Sequence, residues 1–252
     1  MNRKLFNLWM LLLGIAITNT SCKKSADDAA STTTATLPAI FTKFNTSVTV
    51  STDGTFVTLR TNGLPDHKSP YYQGTAWAAT LYEAYNGTNT NYATNPNRIA
   101  SQNLVFKIPL NPTAAATHTA TGLGPIGISV NGLPLYNQYA GPSLPLTNEI
   151  NSFDQYNGHP QMSGQYHYHI EPLYLTTLKG KSALMGFLLD GFPVYGPMEN
   201  GVILTTSNLD AYHGHTSVTA EYPNGIYHYH FTADAPYLNG SGYWGTPGIV
   251  TQ

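Results

Sequence analysis

The chain has 252 residues, with 11 Lys and Arg against 13 Asp and Glu and a formal net charge of −2 at pH 7. Charge this sparse and balanced, with no basic run, excludes the electrostatic footprint of a nucleic-acid-binding protein. One cysteine leaves no disulfide and no multi-thiolate metal site, while 18 Tyr, 23 Gly and 17 Pro describe a turn-rich β protein in which nine His are the anomaly.

The N-terminus reads as a targeting segment. Asn2-Arg3-Lys4 is followed by an apolar run from Leu5 to Ile17 that is too short for a permanent span. Cys22 follows at once, placed like the lipidated cysteine of a bacterial lipoprotein, although Asn19 stands where an aliphatic residue is usual. An ordinary secretory signal is the alternative. The expectation is a signal peptide over residues 1–21 and acylation of Cys22, at about 0.8 kcal/mol per buried CH₂. Residues 22–38 are too poor in apolar side chains to order themselves and form a tether. Residues 39–252 form the domain. The expected location is a lipid anchor in the outer or cytoplasmic membrane, with the protein periplasmic or at the cell surface. The residues name no protein partner.

Beyond the tether, short alternating runs dominate. Ser47–Ser51 and Thr55–Arg60 flank the turn Thr52-Asp53-Gly54, and Leu104–Pro109 and Val202–Thr206 are further strands. Only Thr75–Tyr85 and Leu173–Lys179 have the pattern of short helices. The fold class is therefore all-β or mostly β. An internal repeat organises its second half: Gly127-Ile-Ser-Val-Asn-Gly-Leu-Pro-Leu-Tyr136 returns as Gly186-Phe-Leu-Leu-Asp-Gly-Phe-Pro-Val-Tyr195. Each copy continues through an aspartate (Asp154, Asp210) and a Gly-His step (His159, His215). It then reaches Tyr-His-Tyr-His, at Tyr166–His169 and Tyr227–His230. Two half-units, at about 124–172 and 183–234, packed about a pseudo-twofold axis account for this.

Residues two apart on a strand share a face, so His167 pairs with His169 and His228 with His230, with the tyrosines opposite. Two imidazoles so placed form a clamp for a transition metal, and His159 or His215 supplies a third ligand. Either each half holds its own ion, or the halves share one four-histidine or dinuclear site; His67, after Asn62-Gly-Leu-Pro, joins one of them. The competing reading is a structural His/Tyr ladder. Asp154 and Asp210 fit either as acceptors of the far N–H of a ligating histidine or as turn residues. His118 and His213 are not expected to be ligands. Copper is favoured by its place in the affinity order and by export, with zinc second. Zinc on three histidines and a water would make a hydrolase, for which Glu149, Glu171 and Glu221 are the nearby bases. A third reading is a metal-free module binding glycans or peptides through tyrosines, Trp77 and Trp244.

The doubled Tyr-His-Tyr-His, with Leu123-Gly-Pro-Ile-Gly127, Gly158-His159-Pro160 and Leu189–Pro197, resembles the YHYH-domain family of exported bacterial proteins. Asn62–His67, Asn95-Pro-Asn97 and Ile108–Pro112 extend the likeness over about residues 45–235. Members often carry a cysteine shortly before each Gly-His; Tyr156 and Tyr212 stand there instead. The resemblance implies export and treats the histidines as a unit; it supplies no reaction.

Overall fold

The structure is a computed structural model that describes residues 36–240 and 242–252. The expected signal segment, Cys22 and the tether up to residue 35 lie outside the described residues. Sixteen strands and two α-helices are present among the described residues. In chain order the strands are β1 (Thr49–Thr52), β2 (Phe56–Thr61), β3 (Leu104–Pro109), β4 (Gly127–Ser129), β5 (Pro134–Leu135), β6 (Tyr139–Ala140), β7 (Leu144–Pro145) and β8 (Gly158–Pro160). They continue as β9 (Tyr166–Tyr168), β10 (Leu184–Leu188), β11 (Pro193–Tyr195), β12 (Met198–Glu199), β13 (Val202–Ile203), β14 (Gly214–Ser217), β15 (Ile226–His230) and β16 (Ile249–Thr251). Helix α2 covers the expected Leu173–Lys179, but α1 is only Ala78–Leu81 and β13 stops at Ile203. In the described residues no helix is long and apolar enough to cross a membrane.

A four-stranded sheet, ordered β1-β2-β3-β16, packs beside an eight-stranded sheet ordered β14-β15-β11-β10-β4-β5-β9-β8. Strands β2 and β3 alternate between buried and more exposed side chains, as a sheet with one wet face should. One apolar cluster joins Val57, Leu59, Phe106 and Ile108 of the smaller sheet to Ile128, Phe187 and Val194 of the larger. Phe41 stacks on Phe187 at 4.9 Å between ring centres, closing one side of this core.

The repeat explains the order of the large sheet. Strands β4 and β10 pair antiparallel with Ile128 opposite Phe187, which are corresponding residues of the two copies. Outward from that pair, β5, β9 and β8 on one side answer β11, β15 and β14 on the other. Each inner hairpin turns at Asn131-Gly132 or Asp190-Gly191, and the glycines take φ of 85° and 84°, which disfavours a Cβ. The two Tyr-His-Tyr-His strands, β9 and β15, consequently lie five strand steps apart, about 24 Å at about 4.8 Å per step.

Candidate metal centres

Each Gly-His strand lies antiparallel to its Tyr-His-Tyr-His strand. His159 is directly opposite His167, and His215 directly opposite His228. The tyrosines of these strands turn into the main core, where Tyr166, Tyr168 and Tyr229 are fully buried. The glycine before each histidine is required by this packing. A Cβ on Gly158 would strike the ring of Tyr166, and one on Gly214 would strike Tyr227.

The loop feeding each Gly-His step is built the same way in both halves. Asp154 Oδ1 accepts from the amides of Tyr156 and Gly158, and Asp210 Oδ1 from those of Tyr212 and Gly214. The Tyr166 hydroxyl donates to Asp154 at 2.9 Å, and that of Tyr227 to Asp210 at 3.0 Å. Neither aspartate bonds to a histidine of the Tyr-His-Tyr-His strands; both are turn residues whose carboxylates hold a tyrosine. The residues before the glycines, Asn157 and His213, take φ of 65° and 73°. That left-handed position makes His213 a loop residue, held at Nε2 by Thr232.

The histidine faces bring together two separate quartets: Glu149, His159, His167 and His169 in the first half, and Glu199, His215, His228 and His230 in the second. In each, one donor atom from every residue lies within 4.8 Å of all the others. The shared four-histidine arrangement is not formed. In the first quartet Nε2 of His167 is 3.1 Å from Nε2 of His159 and 3.0 Å from Nε2 of His169. Glu149 Oε1 lies 3.2 Å from His159 Nε2. In the second, Glu199 Oε2 is 3.3 Å from His215 Nε2 and Oε1 is 3.6 Å from His228 Nε2, while the Ser217 hydroxyl donates to Oε1.

The tautomers follow from the opposite ring nitrogens. Nδ1–H of His167 donates to the Gln165 carbonyl at 3.1 Å, and that of His169 to the Asn137 carbonyl at 2.6 Å. His228 and His230 do the same with the Ile226 and Gly196 carbonyls, at 2.9 and 2.7 Å. His159 Nδ1 lies 2.8 Å from the Ser152 hydroxyl, which donates to the Glu149 carbonyl, and 3.3 Å from the Asn95 amide nitrogen, so both tautomers of this ring find partners. With Nδ1 protonated, Nε2 of His167, His169, His228 and His230 each presents a lone pair, and within each quartet those lone pairs converge. Such a cluster is mutually repulsive until a cation or proton sits among them. In the second quartet, Nε2 of His215, His228 and His230 are all buried without a partner. Ligands about 2.0–2.1 Å from a tetrahedral ion stand about 3.3–3.4 Å apart, close to these spacings.

Burial keeps the imidazoles of the two Tyr-His-Tyr-His strands neutral. Burial pushes His167 well below the usual histidine value, and His159 and His169 push it further. Burial lowers His169 and His230 to about 4 against the opposing pull of their carbonyl bonds, and lowers His228 as well. The bond from His159 holds Glu149 below its ordinary value. For Glu199, burial works upward but is outweighed by the Ser217 bond and the neighbouring histidines. Three imidazoles and one carboxylate are a donor set that divalent zinc, copper and iron accept.

The remaining expected residues lie elsewhere. His67 is buried apart from both quartets; its Nδ1–H donates to the Lys68 carbonyl and its Nε2 accepts from Tyr168, so neither nitrogen faces a ligand position. The rings of Tyr156, Tyr166 and Tyr174 surround it. His118, not expected as a ligand, packs between the rings of Tyr212 and Trp244. Glu221 pairs with Lys43 and Tyr195. Sequence reasoning did not find Glu199, and it treated Glu149 as a base rather than as a fourth donor.

The family model described as YHYH protein matches residues 105–202 and 198–241, which takes in both quartets. No curated protein and no solved structure matches.

Proposed function

The chain belongs to the YHYH family, and from that premise we propose an exported, membrane-tethered protein that binds two divalent transition-metal ions, one in each quartet. The observation that carries this reading is the convergence of Nε2 lone pairs: Nδ1–H bonds to backbone carbonyls set four ring orientations, so unprotonated Nε2 atoms of His167 and His169, and of His228 and His230, meet beside Glu149 and Glu199. A structural His/Tyr ladder would instead give those nitrogens partners. Export and the anchor rest on Asn2-Arg3-Lys4, the apolar run and Cys22.

Copper(II) is the ion we assign to the first quartet. Its ring centres are 4.6 Å (His159–His167), 4.8 Å (His167–His169) and 5.8 Å (His159–His169) apart, so His167 stands between the other two. Unequal spacing of this kind suits a tetragonal N,O set. Copper there serves metal capture or an oxidative reaction. Zinc is the second reading, favoured by the second quartet, whose centres are nearly equidistant at 4.8, 4.9 and 5.2 Å. Zinc with a bound water would support hydrolysis. Elemental analysis combined with electron paramagnetic resonance tests both readings. One axial Cu(II) signal per chain, lost in His167→Ala/His169→Ala, supports copper in the first quartet. A protein that takes up zinc and gives no Cu(II) signal after exposure to both ions refutes it.

A further inference from the structure

Both quartets have open space in front of them. The second opens on a cleft of about 390 Å³ whose floor includes Glu199, His228 and His230, while His215 is not among the lining residues. A cleft of this volume falls in the range of small-molecule sites. One part of its wall is apolar, from Met198, Val218 and Ala220. Ser182, Asn200 and Thr219 supply neutral hydrogen-bonding groups. The lining contains no Lys or Arg, and no carboxylate other than Glu199 itself.

Charge selects the ligand. A divalent ion held by three neutral imidazoles and one carboxylate keeps a net charge of about +1. With no cationic side chain on the wall to compete, that charge is the cleft's only attraction for an anion, and it lies at the floor behind buried Nε2 atoms. Low dielectric around a partly enclosed charge strengthens its pull. Two negative charges on one ligand would leave the second without a partner on these walls, so the fit is to a single negative charge. The apolar wall rewards a compact hydrocarbon body beyond it.

We propose that the second quartet, once metallated, binds small organic monoanions, with a carboxylate or phenolate oxygen on the metal and an apolar body against Met198, Val218 and Ala220. The inference rests on the metal reading of that quartet. The first quartet has a smaller cleft of its own, about 280 Å³, in which Glu149, His167 and His169 meet Leu123, Tyr136 and Tyr139, while Phe153 packs on His159 and His169.

The test uses the full chain loaded with cobalt(II), whose d–d bands report a new ligand, titrated with benzoate, phenolate, acetate and the neutral benzamide. Benzoate or phenolate should shift the bands at least tenfold more tightly than acetate, and benzamide should leave them unchanged. The preference for benzoate over acetate should persist in His167→Ala/His169→Ala and disappear in His228→Ala/His230→Ala. Val218→Asp, on an exposed wall position, should keep both cobalt ions and weaken benzoate at least tenfold. A chain that binds cobalt but gives no shift with benzoate or phenolate, or binds acetate equally, overturns the ligand assignment alone. Failure to bind cobalt, zinc or copper at all overturns the metal reading with it.

Discussion

Replacing His167 and His169 by Ala removes two of the four donors of the first quartet and leaves the second untouched, since the Tyr-His-Tyr-His strands stand about 24 Å apart across the sheet. At that distance the two effects should be additive. A metal that binds only the folded chain stabilises it by RT ln(1 + [M]/Kd), about 2.7 kcal/mol at a hundredfold excess over Kd. The unaltered protein should therefore gain about 5 kcal/mol on saturation and the variant about 2.7 kcal/mol. With a urea slope of about 2–3 kcal/mol/M, each occupied site should raise the midpoint by about 1 M. The metal-free variant has its own penalty, because the Asn137 carbonyl loses the donor it had from His169, at a cost of about 1–3 kcal/mol. The metal-dependent difference within each protein is thus the quantity to compare. Urea unfolding with and without metal, alongside bound-metal analysis, should show one ion and half the stabilisation in the variant. Loss of both ions would mean the quartets are coupled. An unchanged metal content would show that β9 is not a ligand strand.

Three further outcomes follow from the same geometry. Ser152→Ala removes a hydrogen-bond partner of His159 Nδ1 and the donor to the Glu149 carbonyl, so affinity at the first quartet should fall about 10–100-fold, with the second unchanged in a chelator competition titration. Gly158→Ala should destabilise the metal-free fold by about 1–3 kcal/mol in urea, because the new Cβ and the Tyr166 ring claim one volume; a neutral result would mean the ring moves freely. His169 and His230 titrate near 4 when folded but near 6.5 when unfolded, so the unfolded chain binds more protons between those values. The metal-free protein should accordingly lose stability as pH falls from about 6.5 to 4, by about 3 kcal/mol per histidine at most, as read from urea midpoints at pH 7, 6 and 5.

Much of the candidate site was legible because its parts follow strand periodicity and a repeat. Two-residue alternation placed His167 with His169 and His228 with His230, and the doubled Gly-His step pointed to His159 and His215, which face their partners across the ladder. The carboxylates were not legible for a definite reason. Glu149 opens the 3-10 helix Glu149–Ser152 after the β6–β7 hairpin, whereas Glu199 ends β12 before its own hairpin turns, so aligning the two copies never superposes them. Asp154 and Asp210 were open to two readings because a carboxylate near a histidine in sequence looks the same whether it bonds the ring or a tyrosine. The ring partners are instead carbonyls of Asn137 and Gly196, the residues that follow Tyr136 and Tyr195 at the end of each repeated motif. His67 misled because its Asn-Gly-Leu-Pro approach copies the repeat, while the strand before that approach, β2, belongs to the smaller sheet. Short elements such as α1 depend on packing and give too little pattern to bound.

The most direct test of the two-quartet account is the metal content of the chain purified without a histidine tag or chelator and then equilibrated with copper and zinc. The account predicts two tightly held ions per chain, falling to one when either Tyr-His-Tyr-His strand loses its histidines. A chain that retains none, and unfolds at the same urea concentration with metal as without, would contradict it.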